Sequence, residues 1–403
     1  MKKLTALLLA LVMVLSVTAC ASNNTSATTG APKAADTTAA ENKVDDSAFD
    51  GEIVFGLSTA VTGNFPLAGE RTLQGVDLAV EEINTAGGVL GKKLTYIYED
   101  DGNDATTAVN VVTKLLNEDV VAVIGPHTTG NTLAVQSLYA EAGMPFFSGG
   151  TGVKLENEMD NKYFHRIRPS DSICGAIAAK FAVENLGAKK VGVDYNNNDF
   201  GTGGRDVVVA TLQELGVEYV EVAHNSGDTD MTTQLMNLQA AGVDAVILWT
   251  DDAEDVVTAR QAYELGLDIP FITSAGVVMQ QVLDQMEPEY VEGWYSATDF
   301  VPANDDPVVK TFVEAFNAKY GIDPELYASA YYGAVKALAA AIEIAGSTDH
   351  EAVNDALTQI KDLPAPTGTM TYGAHGNMIH SLVITQIHDL KPSVVSTVSM
   401  DTN

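Results

Sequence analysis

Seven histidines (127, 165, 224, 350, 375, 380 and 388) and two cysteines (20 and 174) are the side chains most able to hold a metal or attack a substrate. None falls in an H-E-x-x-H or C-x-x-C spacing, the patterns that bring zinc ligands together, so no metal and no cofactor are expected. Asp194-Tyr195-Asn196-Asn197-Asn198 opens like a calcium loop. Asp199 stands where that loop needs glycine and Arg205 where it needs a bidentate glutamate, so a polar turn is the better reading. Gly201-Thr202-Gly203-Gly204 matches neither the dinucleotide nor the Walker pattern, and no G-x-S-x-G elbow occurs. With no motif that assembles a nucleophile, a base and an orienting group, the chain is not expected to be an enzyme.

Binding chemistry is better supplied. The apolar run Val120 to Ile124 ends in Gly125-Pro126, and His127-Thr128-Thr129-Gly130-Asn131-Thr132 then opens a helical run through Leu133, Val135 and Leu138. Hydroxyl and amide groups beside unpaired helix N–H groups suit a carboxylate, or simply cap the helix. A second polar loop, Ser148-Gly149-Gly150-Thr151-Gly152, follows Pro145-Phe146-Phe147, and its glycines let backbone approach a ligand closely.

The elements that must position these loops alternate in type. Strand-like runs at 53–57, 94–98, 120–124, 191–195, 219–223, 245–249 and 271–273 are separated by helical stretches near 70–85, 104–117, 131–142, 171–186, 202–215, 230–241 and 252–265. Such β-α alternation predicts parallel sheets covered by helices, with ligands beyond the carboxyl ends of the strands. The series runs twice. Near Gly293 it gives way to a strand-like Trp294-Tyr295-Ser296, long helices and a late hairpin. The fold class expected is α/β, two doubly wound parallel-sheet lobes joined by a multi-crossing hinge. Lobe 1 would take 51–168 plus 300–375, and lobe 2 would take 169–299 plus 376–403. Cys174, in the apolar context Ile173-Cys174-Gly175-Ala176-Ile177, reads as a packing residue.

Ahead of this body, Met1-Lys2-Lys3, an apolar run from Leu4 to Val17 and Thr18-Ala19-Cys20 read as an export signal over residues 1–19. Val17-Thr18-Ala19-Cys20 also resembles the bacterial lipobox, whose cysteine is acylated. Residues 20–50 hold only Val44 and Phe49 as sizeable apolar side chains and read as a tether. An extracytoplasmic, lipid-anchored protein is expected, with Cys174 left alone and no intramolecular disulfide. A net charge of −32, from 54 acidic against 22 basic residues, argues against nucleic acid as a partner.

From about Gly51 almost to its end, the chain resembles the branched-chain amino-acid-binding proteins of bacterial ABC transporters, the Leu/Ile/Val type of periplasmic receptor. The resemblance rests on Thr62-Gly63 through Gly69, Gly75 through Asn84 with Gly87-Gly88-Val89, Asp100-Asp101 with Asp104, and Val123-Ile124-Gly125-Pro126 with Thr129. It implies a monomer whose two lobes, of the type I periplasmic binding protein fold, close over a small solute and present it to a membrane permease. It also implies that Thr128, Thr129 and Gly130 hold a ligand carboxylate and that Ser148, Gly149, Gly150 and Thr151 add contacts. Phe200, Trp249 and Asp251 would close the trap from the second lobe. The family's acid for the ammonium falls near Ala275, where this chain has none, and Asp251 or Asp252 would replace it or simply cap a helix. Aromatic walls common in the family align with Ala68 and Ser329, leaving Phe65 or Tyr327 to fill that space. The ligand implied is a branched-chain or other hydrophobic amino acid; another small carboxylate or amide, or a sensor role, are the alternatives.

Overall fold

The computed structural model describes residues 46–63 and 65–399, so the export signal, Cys20 and most of the tether lie outside the described residues. The body begins before residue 51. Asp46–Ala48 form a 3-10 turn and the Asp50 N–H donates to the Gly91 carbonyl at 3.0 Å, so the last residues expected to be tether belong to the fold.

The first lobe runs β1 (Glu52–Thr59), α1 (Pro66–Thr85), β2 (Lys93–Asp100), α2 (Ala105–Leu115), β3 (Val123–Ile124), α3 (Thr129–Ala142), β4 (Phe146–Ser148), α4 (Lys154–Asn157) and β5 (Phe164–Arg166). Its strands form one parallel sheet in the order β2-β1-β3-β4-β5. The second lobe follows with α5 (Asp171–Lys180), β6 (Lys190–Asn196), α6 (Asp199–Glu214), β7 (Glu218–His224), α7 (Thr232–Ala241), β8 (Ala245–Trp249), α8 (Asp252–Glu264), β9 (Phe271–Thr273), α9 (Gln280–Leu283), α10 (Pro288–Val291) and β10 (Tyr295–Thr298). The chain then adds α11 (Pro307–Tyr320), α12 (Leu326–Ala345) and α13 (His350–Leu357), and ends in the hairpin β11 (Ser381–His388) and β12 (Lys391–Ser399).

The second sheet has the order β12-β11-β10-β9-β8-β6-β7. Its β7-β6-β8-β9-β10 part is parallel and repeats the first lobe's order, whereas β11 and β12 run antiparallel. The sheet is therefore parallel at its centre and antiparallel at one edge, because a hairpin cannot continue a βαβ series. The chain passes between the lobes after β5, after β10 and before β11.

Three local departures from the sequence reading have physical causes. The strand expected from Val120 is regular only at Val123–Ile124, since the Val120 N–H is taken by the Glu118 carbonyl in the preceding turn. The helix expected over 171–186 changes at Phe181 into a π turn, Phe181–Asn185, closed by the Leu186 N–H on the Phe181 carbonyl. β5 gave no strand signal because His165 and Arg166, both fully buried, break its apolar pattern.

Helix α1 starts at Pro66, whose fixed φ suits a first helical turn, and buries Val76, Ala79 and Ile83 against the sheet. Its far end is tied to β2 by Asn84, whose amide both donates to and accepts from the Leu94 backbone at 2.8 Å. α12 crosses α1 so closely that a Cβ on Gly75 would lie 2.1 Å from the Ala328 carbonyl oxygen. Alanine is about 1 kcal/mol better than glycine inside a helix, but overpacking costs about 1–3 kcal/mol or more, so the clash wins. Gly75→Ala is expected to lower the urea midpoint. Gly130→Ala, in α3 with nothing within 4 Å of its Cβ position, should hold the midpoint or raise it slightly.

Candidate ligand-binding site

One cavity lies where the strand ends of both sheets face each other, with about 680 Å³ of space outside protein atoms, partly open to solvent. The first lobe lines it with His127, Thr128 and Thr129 after β3, and with Gly149, Gly150 and Thr151 after β4. The second lobe supplies Asp171 and Cys174 of α5, Phe200 of α6, Trp249 at the end of β8 with Thr250 to Asp252 after it, and Ser274 to Gly276 after β9. Arg168 and Asp299 come from the two crossings, and Phe65, Leu326 and Tyr327 close one side.

Ten of the residues singled out from sequence thus meet in one place, namely Phe65, Thr128, Thr129, Gly149, Gly150, Thr151, Phe200, Trp249, Asp251 and Ala275. Gly130 and Ser148 do not. Gly130 is exposed, turned away by the helix rotation, and Ser148 is a buried brace bonded to Thr132 Oγ1 at 2.7 Å and to the Gly150 N–H at 2.9 Å.

The start of α3 offers donors to the cavity. Thr128, at its N-cap, makes no side-chain cap bond and donates its hydroxyl to Asn103 Oδ1 at 3.0 Å. Thr129 Oγ1 accepts from the Gly152 N–H at 3.0 Å, which leaves its proton free for a ligand. The Gly149 and Gly150 N–H groups are already used, on the Pro126 carbonyl and Ser148 Oγ, so these glycines shape the wall more than they donate. Unpaired N–H groups in the first turn of α3 and the helix dipole make this end suited to an anion.

Asp171 lines the same cavity, is 2 % exposed, and has one carboxyl oxygen with no hydrogen-bond partner. Burial pushes its pKa up to about 7, while Thr151, Arg166, Arg168 and Trp249 pull the other way. A cation beside it would restore the carboxylate. Arg168 already bonds both oxygens of Asp299, through Nε at 3.0 Å and Nη2 at 2.9 Å, and lies 5.4 Å from the Tyr327 ring centre, so its charge is balanced first by Asp299.

Asp251 does not cap α8 with its side chain. Its Oδ2 accepts from Asn198 at 2.8 Å and Asn196 at 3.2 Å, and burial followed by the Glu254 charge raises it to about 6. Asp252 beside it is held up to about 7, first by burial and then by Asp251. Phe200 packs 6.2 Å from the Trp249 ring centre as an apolar wall, and Ala275 lies in a 3-10 turn. Cys174 packs in the second-lobe core and also touches the cavity, with its thiol pushed well above the usual range by burial, so it is not reactive.

His127 is neutral, its pKa lowered to about 3 by burial and then by Arg168. It shares Nε2 with the Thr59 and Thr72 hydroxyls, each at 2.8 Å, and sits between the rings of Tyr327 and Tyr331. A buried chain also joins Asp194, His224 and Thr250, at 2.9 Å on Nδ1 and 2.7 Å on Nε2. Its three members lie in β6, at the end of β7 and just after β8, which no motif in one segment can announce.

Asp171, Asp299 and Glu325 escaped the sequence reading. Ser170-Asp171 before an apolar helix looks like a cap, and Ser170 does cap α5, accepting from the Ser172 N–H at 3.1 Å, which leaves Asp171 free to face the cavity. Glu325 caps α12 through the Tyr327 and Ala328 N–H groups.

Two doubly wound lobes with a polar cavity between facing strand ends define a two-lobed solute-binding protein. The chain belongs to the periplasmic binding protein family, which it matches over residues 52–391. It is 28 % identical over 330 residues to Leu/Ile/Val-binding protein homolog 2 of Brucella abortus, covering 81 % of this chain and 87 % of that one. Its fold is similar to a leucine-binding protein from Thermotoga maritima, with a TM-score of 0.80, 26 % identity, and 86 % of this chain and 99 % of that one covered. It is equally similar, at TM-score 0.80 and 26 % identity, to a branched-chain amino acid transporter substrate-binding protein from Streptococcus pneumoniae in complex with isoleucine, with 87 % and 100 % covered.

Proposed function

We propose that this chain is the solute receptor of an ABC importer, exported and held to the membrane through an acylated Cys20, and that its lobes close over one α-amino acid. The observation that carries this reading is a pairing within one cavity. The donor-rich start of α3, with the free Thr129 hydroxyl, suits a carboxylate, and the unpartnered oxygen of Asp171 suits an ammonium. A zwitterion satisfies both ends, whereas either group buried alone would be costly. Closure is stabilised by contacts that the ligand makes to both lobes, with no covalent step. The relatives named for leucine, isoleucine and valine make these the reference ligands.

Thermal unfolding against amino acids, aromatic acids and short amides tests this. A ligand at about 100 times its dissociation constant adds about 2.7 kcal/mol of stability. A shift with carboxylates lacking an ammonium, and none with any amino acid, would rule it out. Thr129→Ala is expected to weaken binding by about 1–3 kcal/mol, since it leaves a ligand oxygen without its donor; unchanged affinity in calorimetry would move the carboxylate elsewhere.

A further inference from the structure

The cavity carries more acid than an α-ammonium needs. Its lining holds four carboxyls, on Asp171, Asp251, Asp252 and Asp299, against the single guanidinium of Arg168. Arg168 and Asp299 neutralise each other through two hydrogen bonds. With Asp171 given to the ammonium, Asp251 and Asp252 remain. Asp255 stands next to them, fully buried, and neither of its carboxyl oxygens has a hydrogen-bond partner. Both Asp252 and Asp255 look onto Gly276 of the cavity lining, where a Cβ would lie 2.5 Å from Asp252 Oδ1 and 3.2 Å from Asp255 Oδ2.

The polar groups around them present acceptors. Ser274 Oγ donates to the Thr250 carbonyl at 3.0 Å and Ser296 Oγ donates to the Ser274 carbonyl at 2.8 Å, so both hydroxyl protons are spent. With the His224 proton on Nδ1 toward Asp194, the Thr250 hydroxyl donates to Nε2 and turns lone pairs outward. Phe65 and Tyr327, in edge contact at 6.4 Å, add π faces to the lining. Acceptors, carboxyls and aromatic faces all favour a cation.

Building on the α-amino-acid reading, we propose that the ligand's side chain ends in a cationic group, as in lysine, ornithine or arginine, received by Asp252 with Asp251 and Asp255 beside it. An aliphatic side chain would leave Asp252 and the unpartnered Asp255 without a cation, with Asp251 held only by the Asn196 and Asn198 amides. Asp252 is faced by Asp251, Glu254 and Asp255 from its own helix, by Glu325 at the start of α12 and by Arg168 from the first crossing. Burial and the surrounding acids favour its protonated form when the site is empty, so capture of a cation releases a proton there.

The test is calorimetric titration of the intact receptor and its Asp252→Asn variant with L-lysine, L-leucine and L-norleucine, the last matching lysine without its ε-ammonium. Lysine is expected to bind at least about tenfold tighter than norleucine, and Asp252→Asn to narrow that ratio. Norleucine or leucine binding as tightly as lysine, or a lysine-to-norleucine ratio unmoved by the variant, would overturn the inference. Leucine binding without lysine sinks this inference alone. Silence from every α-amino acid sinks the reading beneath it as well. The wild-type ratio decides the matter even if the variant folds poorly.

Discussion

Asp299→Ala should lower the unfolding free energy by about 3–5 kcal/mol, because it removes the carboxylate that holds the buried Arg168 guanidinium with two hydrogen bonds. Asp299 is 5 % and Arg168 8 % exposed, and the pair is bonded at both carboxylate oxygens. The two residues sit on different crossings between the lobes, so the bond also fixes how those segments run past each other. Replacing both, as Arg168→Met with Asp299→Leu, removes the desolvation cost of two charges together with their attraction and should cost far less than the single change. Urea unfolding of the three proteins checks this. A single variant within 1 kcal/mol of wild type would mean that Arg168 finds water or another acid.

The second large effect falls on binding. Asp171→Asn is expected to weaken leucine or norleucine by about 1.5–3 kcal/mol, or about 10- to 150-fold, since a hydrogen bond to a charged group is lost and the ammonium stays buried. The pH dependence has a definite sign. In the empty protein Asp171 holds its proton up to about pH 7, well above the ordinary carboxylate range, mainly because of burial. The ligand's ammonium needs the carboxylate, so affinity should fall about tenfold per unit as pH drops below 7, and this slope should vanish in Asp171→Asn. Stability of the empty protein runs the opposite way. Between about pH 4 and 7 the folded chain binds a proton at Asp171 that the unfolded chain releases, so this contribution is full below pH 4 and lost as pH rises through 7. Calorimetry and thermal melts from pH 5 to 8 read the two slopes independently.

How much of this was visible beforehand depended on whether the signal was local. Val120 to Ile124 followed by a polar helix start, or Pro145 to Phe147 followed by glycines, announces a strand end and its loop within one segment, so Thr129 and Thr151 could be found. Asp171 and Asp299 act through burial and through partners far away in sequence, and each looks ordinary among its neighbours. Ser148 erred in the other direction. It has the right type in the right loop, but its hydroxyl is turned inward to hold Thr132 and Gly150. Alternation of strands and helices likewise revealed both parallel sheets, while the antiparallel edge made by β11 and β12 depends on where a late hairpin docks.

The central claim is that one cavity grips the two charged ends of an α-amino acid at α3 and at Asp171. The most direct measurement is titration calorimetry of the receptor with its tightest amino acid, the same compound without its α-amino group, and the same compound without its carboxyl. Each deletion is expected to cost about 100-fold or more in affinity, because each leaves a buried charged or donor group unsatisfied. Binding of the des-amino acid within about threefold of the amino acid would contradict the account.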